Sequence, residues 1–131
     1  MKIERANNRI HVIAMLMPWM MSKEMRDELG EHPVWEDGDA YFFIVEGGYA
    51  VSFVCLSCAG RLKYAYTDKS HRGRGCFSML MQVMEGEANG NGHKRLTATA
   101  TNSALPHYIK RGWAVTKSWK KYHNITKQLH G

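Results

Sequence analysis

Apolar positions along this chain change period more than once, and each change marks an element. Residues 2–6 read as a short strand. Residues 8–17 and 22–29 look helical and are separated by Pro18, whose ring breaks a continuing helix. Ser22 with Glu24 and Asp27 close behind suits a helix start, because acids are stabilised at the positive end of the helix dipole. Gly30 suits the stop. Residues 31–39 form a polar loop with Pro33 and Trp35. Residues 40–46 are then β-branched and aromatic, and Gly47-Gly48 is a hairpin signal. Residues 49–57 continue as a second strand, Gly60 breaks it, and residues 61–67 alternate as a third. These three predict an antiparallel meander.

The helical period returns after a turn at residues 68–74. Phe77, Leu80, Met81 and Met84 fall on one stripe of a helix over residues 75–88, which the Gly-rich residues 89–92 end. Residues 94–101 read as a strand, and residues 103–111 as a short helix with Ser103 as its cap and Pro106 in the first turn. Gly112 closes that helix, and residues 113–116 and 119–126 predict two last strands. The order β-α-α-β-β-β-α-β-α-β-β places the chain in the α+β class with a mixed sheet.

Composition adds limits. The 131 residues hold one domain, residues 1–131, around one core. A hydrophobic share of 44% and three prolines exclude a disordered chain. No apolar run approaches the roughly 20 residues of a membrane span, and residues 12–21 lack the flanks of a signal peptide. With three cysteines and no secretion signal, the expected compartment is the cytoplasm, and no membrane partner is expected. Cys55 and Cys58 are three apart on a strand-like run and so face opposite ways, which argues against a shared metal; no metal site is expected.

Charge is unevenly placed. The chain carries a formal +6, yet residues 1–58 hold nine acids against five bases, and residues 59–131 hold thirteen bases against three acids. A basic half points to an anionic partner. One segment in that half has the chemistry to meet one. Arg72-Gly73-Arg74-Gly75-Cys76-Phe77 joins a strand directly to a helix. Glycines let the backbone come close to a ligand, and the free N–H groups and dipole of a helix start favour negative charge. The two arginines add charge-assisted bonds, so a diphosphate fits. The segment is neither a Walker A loop nor a dinucleotide fingerprint.

Further on comes a strand ending in Asn102, followed by Ala104, Tyr108, Gly112 and Trp113. Together the two segments resemble the GNAT superfamily of N-acetyltransferases. The family's pyrophosphate motif reads Arg/Gln-x-x-Gly-x-Gly/Ala; Arg72 and Gly75 match, and Phe77 replaces the last small residue. Its later segment reads Asn, then Ala-x-x-x-Tyr-x-x-x-Gly-Phe; Ala104, Tyr108 and Gly112 keep the spacing, with Trp113 for the Phe. Asn102 lies one residue closer to the Ala than the family usually has it.

The resemblance implies a splayed central sheet and acetyl-CoA as co-substrate. Tyr66 and Thr67 would offer backbone groups to the pantetheine arm. The backbone of Arg72, Gly73, Arg74, Gly75, Cys76 and Phe77 would hold the pyrophosphate, and Asn102 would bond the arm. Tyr108 would protonate the departing thiolate as general acid. The implied reaction is direct acetyl transfer, in a ternary complex, to a primary amine. The base is left open among Glu46, Asp68, His71 and His107. The loop acids Glu31, Glu36, Asp37 and Asp39 beside Trp35 would suit a cationic acceptor. Dimers are common in the family, so a homodimer is a further expectation. Two readings stand beside this one: a basic protein that binds or modifies nucleic acid, with Lys110, Lys117, Lys120, Lys121 and Lys127 interleaved with Trp113, Trp119 and Tyr122; and a non-catalytic CoA-binding or inhibitory protein. A protein acceptor is equally compatible with the sequence.

Overall fold

The structure, a computed structural model, describes residues 2–130. In chain order the elements are β1 (Lys2–Ala6), α1 (Arg9–Leu16), α2 (Lys23–Leu29), β2 (Ala40–Glu46), β3 (Tyr49–Leu56), β4 (Leu62–Thr67), α3 (Cys76–Gly90), β5 (Arg95–Thr101), α4 (Leu105–Lys110), β6 (Ala114–Ser118) and β7 (Tyr122–Gln128). Local chemistry accounts for most boundaries. The Ser22 hydroxyl accepts from the Met25 N–H at 3.2 Å, and Gly30 ends α2 with φ of 79°. The expected cap of α4 moves. Its start lies after Ser103, and the Thr101 hydroxyl accepts the Ala104 N–H at 3.3 Å instead.

β1, β2, β3 and β4 form one antiparallel sheet, and β5, β7 and β6 a second, in that order. The last two strands run later than the sequence pattern suggests. Trp119 N–H donates to Tyr122 C=O at 2.9 Å, so residues 119–121 belong to a tight turn and β7 starts only at Tyr122. That turn contains Lys120 and Lys121 in place of a glycine signal, which is why the pattern missed it.

Alternation along the strands divides the core in two. Ala40, Phe42 and Ile44 of β2 face α3 and join Leu80, Met81, Met84, Leu96, Ala98, Ala100 and Ile125. Tyr41 and Phe43 face the other way, onto Val12 and Leu16 of α1 and Met25 of α2. The first core runs beneath both sheets; the second involves only the larger one. Leu80 is fully buried, and its truncation to Ala would cost roughly 2–5 kcal/mol.

The two sheets join at one point. Thr97 N–H donates to Gly60 C=O at 3.1 Å, and Arg61 and Thr97 form a single parallel bridge. Beyond it β4 and β5 share no further bridge among the described residues, so the sheet opens there as a V.

Candidate active site

A cleft of about 550 Å³ fills the V. β4 forms one wall with residues 62–67, β5 and α4 form the other with Thr99, Ala100, Thr101, Ser103, Ala104, His107 and Tyr108, and the start of α3 closes one end. A second hollow of about 460 Å³, lined in part by Arg5, Asp39, Cys58, Glu87 and His93, lies at the far end of the larger sheet and contains none of those residues.

The start of α3 is built by two glycines. Gly73 and Gly75 have φ of 78° and 80°, a region that L side chains rarely adopt. A Cβ at either would meet nothing within 4 Å, so the backbone there is open. Met79 is the first residue of α3 whose N–H bonds back, to Gly75 C=O at 3.0 Å. The N–H groups of residues 73–78 have no acceptor among the described residues. They form a run of donors at the positive end of a 15-residue helix.

The arginines do not point where the charge pattern suggested. Arg72 lies over the Tyr66 ring, donates to Thr67 C=O at 2.9 Å, and grips both oxygens of Glu28 on α2 at 2.9 and 2.8 Å. Arg74 lies 4.0 Å from Glu46. Arg72 therefore ties α2 to the cradle, and the backbone supplies the cradle's free donors.

The phase of β4 follows from Asp68, whose N–H donates to Val51 C=O at 2.8 Å. In an antiparallel pair alternate residues turn their groups outward, so Tyr66 faces β3 while Ala65 and Thr67 face the cleft. The Tyr66 ring lies in the second core, edge-on to Trp19 at 5.4 Å. Of the two residues expected to offer backbone groups, Thr67 turns its N–H to the cleft while its C=O holds Arg72, and Tyr66 turns its groups to β3.

Tyr108 is buried, with the rings of Phe77 and Trp113 each set edge-to-face at 5.3 Å. Burial pushes its phenol well above the ordinary value, so it stays protonated at neutral pH. Phe77 packs half-buried against the first core and keeps its N–H in the donor run. Asn102 turns away from the cleft. Its amide donates to Lys120 C=O at 2.9 Å, and its oxygen accepts from His123 Nε2 at 2.6 Å. Thr101 and Ser103 line the cleft beside it.

His71 lines the cleft with Nδ1 3.2 Å from Asp68 and Nε2 3.6 Å from Glu46. The Ser70 hydroxyl, and after it the His71 ring, hold the Asp68 carboxyl below its usual range. Two of the loop acids serve structure. Glu36 and the buried Asp39 hold the Lys63 ammonium at 2.6 and 2.7 Å. Burial, and then the Glu31 carboxylate, push the Tyr64 phenol up to about 12. Glu28 and Tyr64 both line the cleft. The sequence offered no signal for either, since Glu28 lies on an ordinary helix face and Tyr64 on an alternating strand.

A family model described as acetyltransferase (GNAT) domain matches residues 13–128, nearly the whole chain. The chain belongs to the GNAT acetyltransferase family. The splayed α+β sheet is the fold of that family, and the chain is an acetyltransferase. Among solved structures, the GNAT chain resembles a Lactobacillus plantarum protein assigned as an N-acetyltransferase, at 17% identity, TM-score 0.78, and 98% coverage of both chains. It resembles the PaiA N-acetyltransferase of Thermoplasma acidophilum in complex with coenzyme A, at 12% identity, TM-score 0.71, with 98% of this chain and 99% of that one covered. A GCN5-related N-acetyltransferase of Rhodopseudomonas palustris shares 23% identity and a TM-score of 0.65 over 70% of this chain and 62% of that one. At these identities the likenesses establish the fold alone. No curated protein matches the sequence.

The GNAT family uses acetyl-CoA, and the cleft fits that co-substrate. The run of free N–H groups suits a diphosphate, and the outward-facing edge at Ala65 and Thr67 suits an amide-bearing arm. Among the described residues no helix is long and apolar enough to cross a membrane.

Proposed function

We propose that this GNAT domain transfers an acetyl group from acetyl-CoA to a primary amine by direct attack, with both substrates in the cleft at once. The observation that supports it best is the pairing of the donor run at residues 73–78 with a protonated, buried Tyr108 on the opposite wall. The donor run holds the diphosphate. Ala65 and Thr67 direct the arm along β4. The amine nitrogen bonds to the acetyl carbon as the carbon–sulfur bond breaks. The amine loses one proton, and the sulfur gains one from Tyr108, which recovers it from the amine through solvent or a cleft side chain. His71 and His107 line the cleft and would take the amine proton. Tyr64 gives the acceptor side an aromatic wall, which suits a cation.

The test is thiol release from acetyl-CoA across a panel of primary amines. Tyr108→Phe should lower kcat by about 100-fold, within the range of general acid catalysis, and leave KM for acetyl-CoA nearly unchanged. An unchanged kcat would remove Tyr108 from the acid role. No thiol release with any amine, in the panel or in cell extract, would sink direct transfer.

A further inference from the structure

Intramolecular pairing accounts for much of the uneven charge. Lys63, Lys69, Arg72 and Arg74 each meet an acid from the first half of the chain: Glu36 with Asp39, Glu24, Glu28 and Glu46 respectively. Later in the chain, Arg111 and Lys127 share Glu85. Lys94, Arg95, Lys110, Lys117, Lys120 and Lys121 meet no carboxylate at ion-pair distance among the described residues. Three of these cations lie within residues 117–121, at the tip of the β6–β7 hairpin.

The same tip carries aromatic surface. Trp119 and Tyr122 are both exposed, with ring centroids 5.1 Å apart. The Lys117 ammonium lies 4.9 Å from the Trp119 ring. The tip is held in place. Asn102 binds Lys120 C=O through its side chain and Lys121 C=O through its N–H at 3.3 Å, and it accepts from His123. His123 in turn meets the Ser118 hydroxyl at 2.7 Å.

Register then places this tip on a polar sheet face. Cross-strand partners share a face. Lys117 pairs with Asn124, Asn124 with Thr99, and Tyr122 with Thr101. None of these five residues is buried, and the buried residues of β5 and β7 all point the other way, into the first core. The open face of the smaller sheet is thus lined by hydroxyl and amide groups, with Lys117 and Tyr122 toward one end. Arg61 is fixed to it by its bond to Thr99 at 2.9 Å. Thr99 and Thr101 also line the cleft, so the face runs into the cleft mouth.

We infer that this face docks single-stranded nucleic acid. Unpaired lysines meet the phosphates, the exposed rings stack bases, and the hydroxyl and amide groups bond base edges. An acidic polypeptide would satisfy the lysines and leave the aromatic pair unused. Docking concerns binding only and does not depend on acetyl transfer.

The experiment is fluorescence anisotropy with labelled oligonucleotides of about 12 residues, RNA and DNA, without acetyl-CoA. Binding should weaken as salt rises from about 50 to 200 mM, with a log–log slope of about −2 for three lysine–phosphate contacts. Replacing Lys117, Lys120 and Lys121 together by Gln should flatten that slope and weaken binding about 10-fold or more at low salt. Tyr122→Ala should weaken binding about 10-fold while keeping the slope. All four side chains are exposed, so circular dichroism should show an unchanged fold. Absent binding at low salt, or equal binding by wild type and the triple variant, would overturn the inference. So would displacement of the strand by an equal concentration of polyglutamate of matched length. Because no acetyl-CoA is present, failure here leaves the transferase reading untouched.

Discussion

Tyr108 and Phe77 show how two side chains divide one task. Phe77 stands where the resembled motif has a small residue, yet the donor at that position is its N–H, which any residue except proline keeps. Its ring sets the edge against which Tyr108 is held. Phe77→Ala should therefore leave acetyl-CoA affinity within about 3-fold while lowering kcat, because the phenol loses a wall and its aim. Calorimetry for binding and thiol release for turnover would check this. A large loss of affinity with unchanged turnover would show that the ring serves the ligand instead. The pH dependence has a definite sign. Burial raises the Tyr108 phenol above the ordinary tyrosine value. Loss of its proton should therefore cause no decline in kcat between pH 7 and about 10. A falling limb that begins near pH 8, and that Tyr108→Phe abolishes, would contradict the acid role.

At the scale of elements, two glycines have opposite duties. Gly60 pins the sheets together. It has φ of 80°, and a Cβ there would approach the His93 ring to 3.0 Å and Arg95 C=O to 3.2 Å. Gly75 has the same φ, and its Cβ would meet nothing. Gly75→Ala should cost only the conformational penalty, about 1–2 kcal/mol. Gly60→Ala should cost more, since backbone must also shift. Acetyl-CoA affinity should order the other way, with Gly75→Ala the weaker binder because the donor run is reaimed. Urea unfolding and calorimetry on both variants would show whether the two orders oppose. Much of this scale was legible in the sequence. The meander, the two capping glycines and the glycine-flanked start of α3 each leave a local signature in residue type. The hairpin turn at 119–121 left none, because it is closed by a backbone bond and by Asn102 from another element. Side-chain aim was also out of reach. Arg72 in the motif segment reads as a phosphate ligand until Glu28, 44 residues away, is seen to hold it. The same holds for Asn102, whose partners lie 18 and 21 residues on.

For the whole molecule, the split of charge along the chain becomes pairing in space. Acids of the first half pair with the basic turn before α3, and among the described residues Lys117, Lys120 and Lys121 are left unpaired at the hairpin tip. Alkaline stability is a second global property. Tyr64 rises to about 12 by burial and by Glu31, and Tyr41 and Tyr108 are raised mainly by burial. Their folded values lie above the unfolded value near 10, so the stability they add is complete below pH 10 and is lost as pH climbs toward 12. Urea midpoints should be flat on this account from pH 8 to about 9.5 and fall steeply above 10, less steeply in Tyr64→Phe.

The claim on which the rest depends is that the V between β4 and β5 holds acetyl-CoA through the backbone of residues 73–78. Isothermal titration of acetyl-CoA tests it most directly. One molecule should bind per chain with Kd in the micromolar range, as for most co-substrates, and Gly75→Ala should weaken that binding about 10-fold or more. Absence of heat at millimolar acetyl-CoA, or equal affinity in wild type and Gly75→Ala, would contradict it.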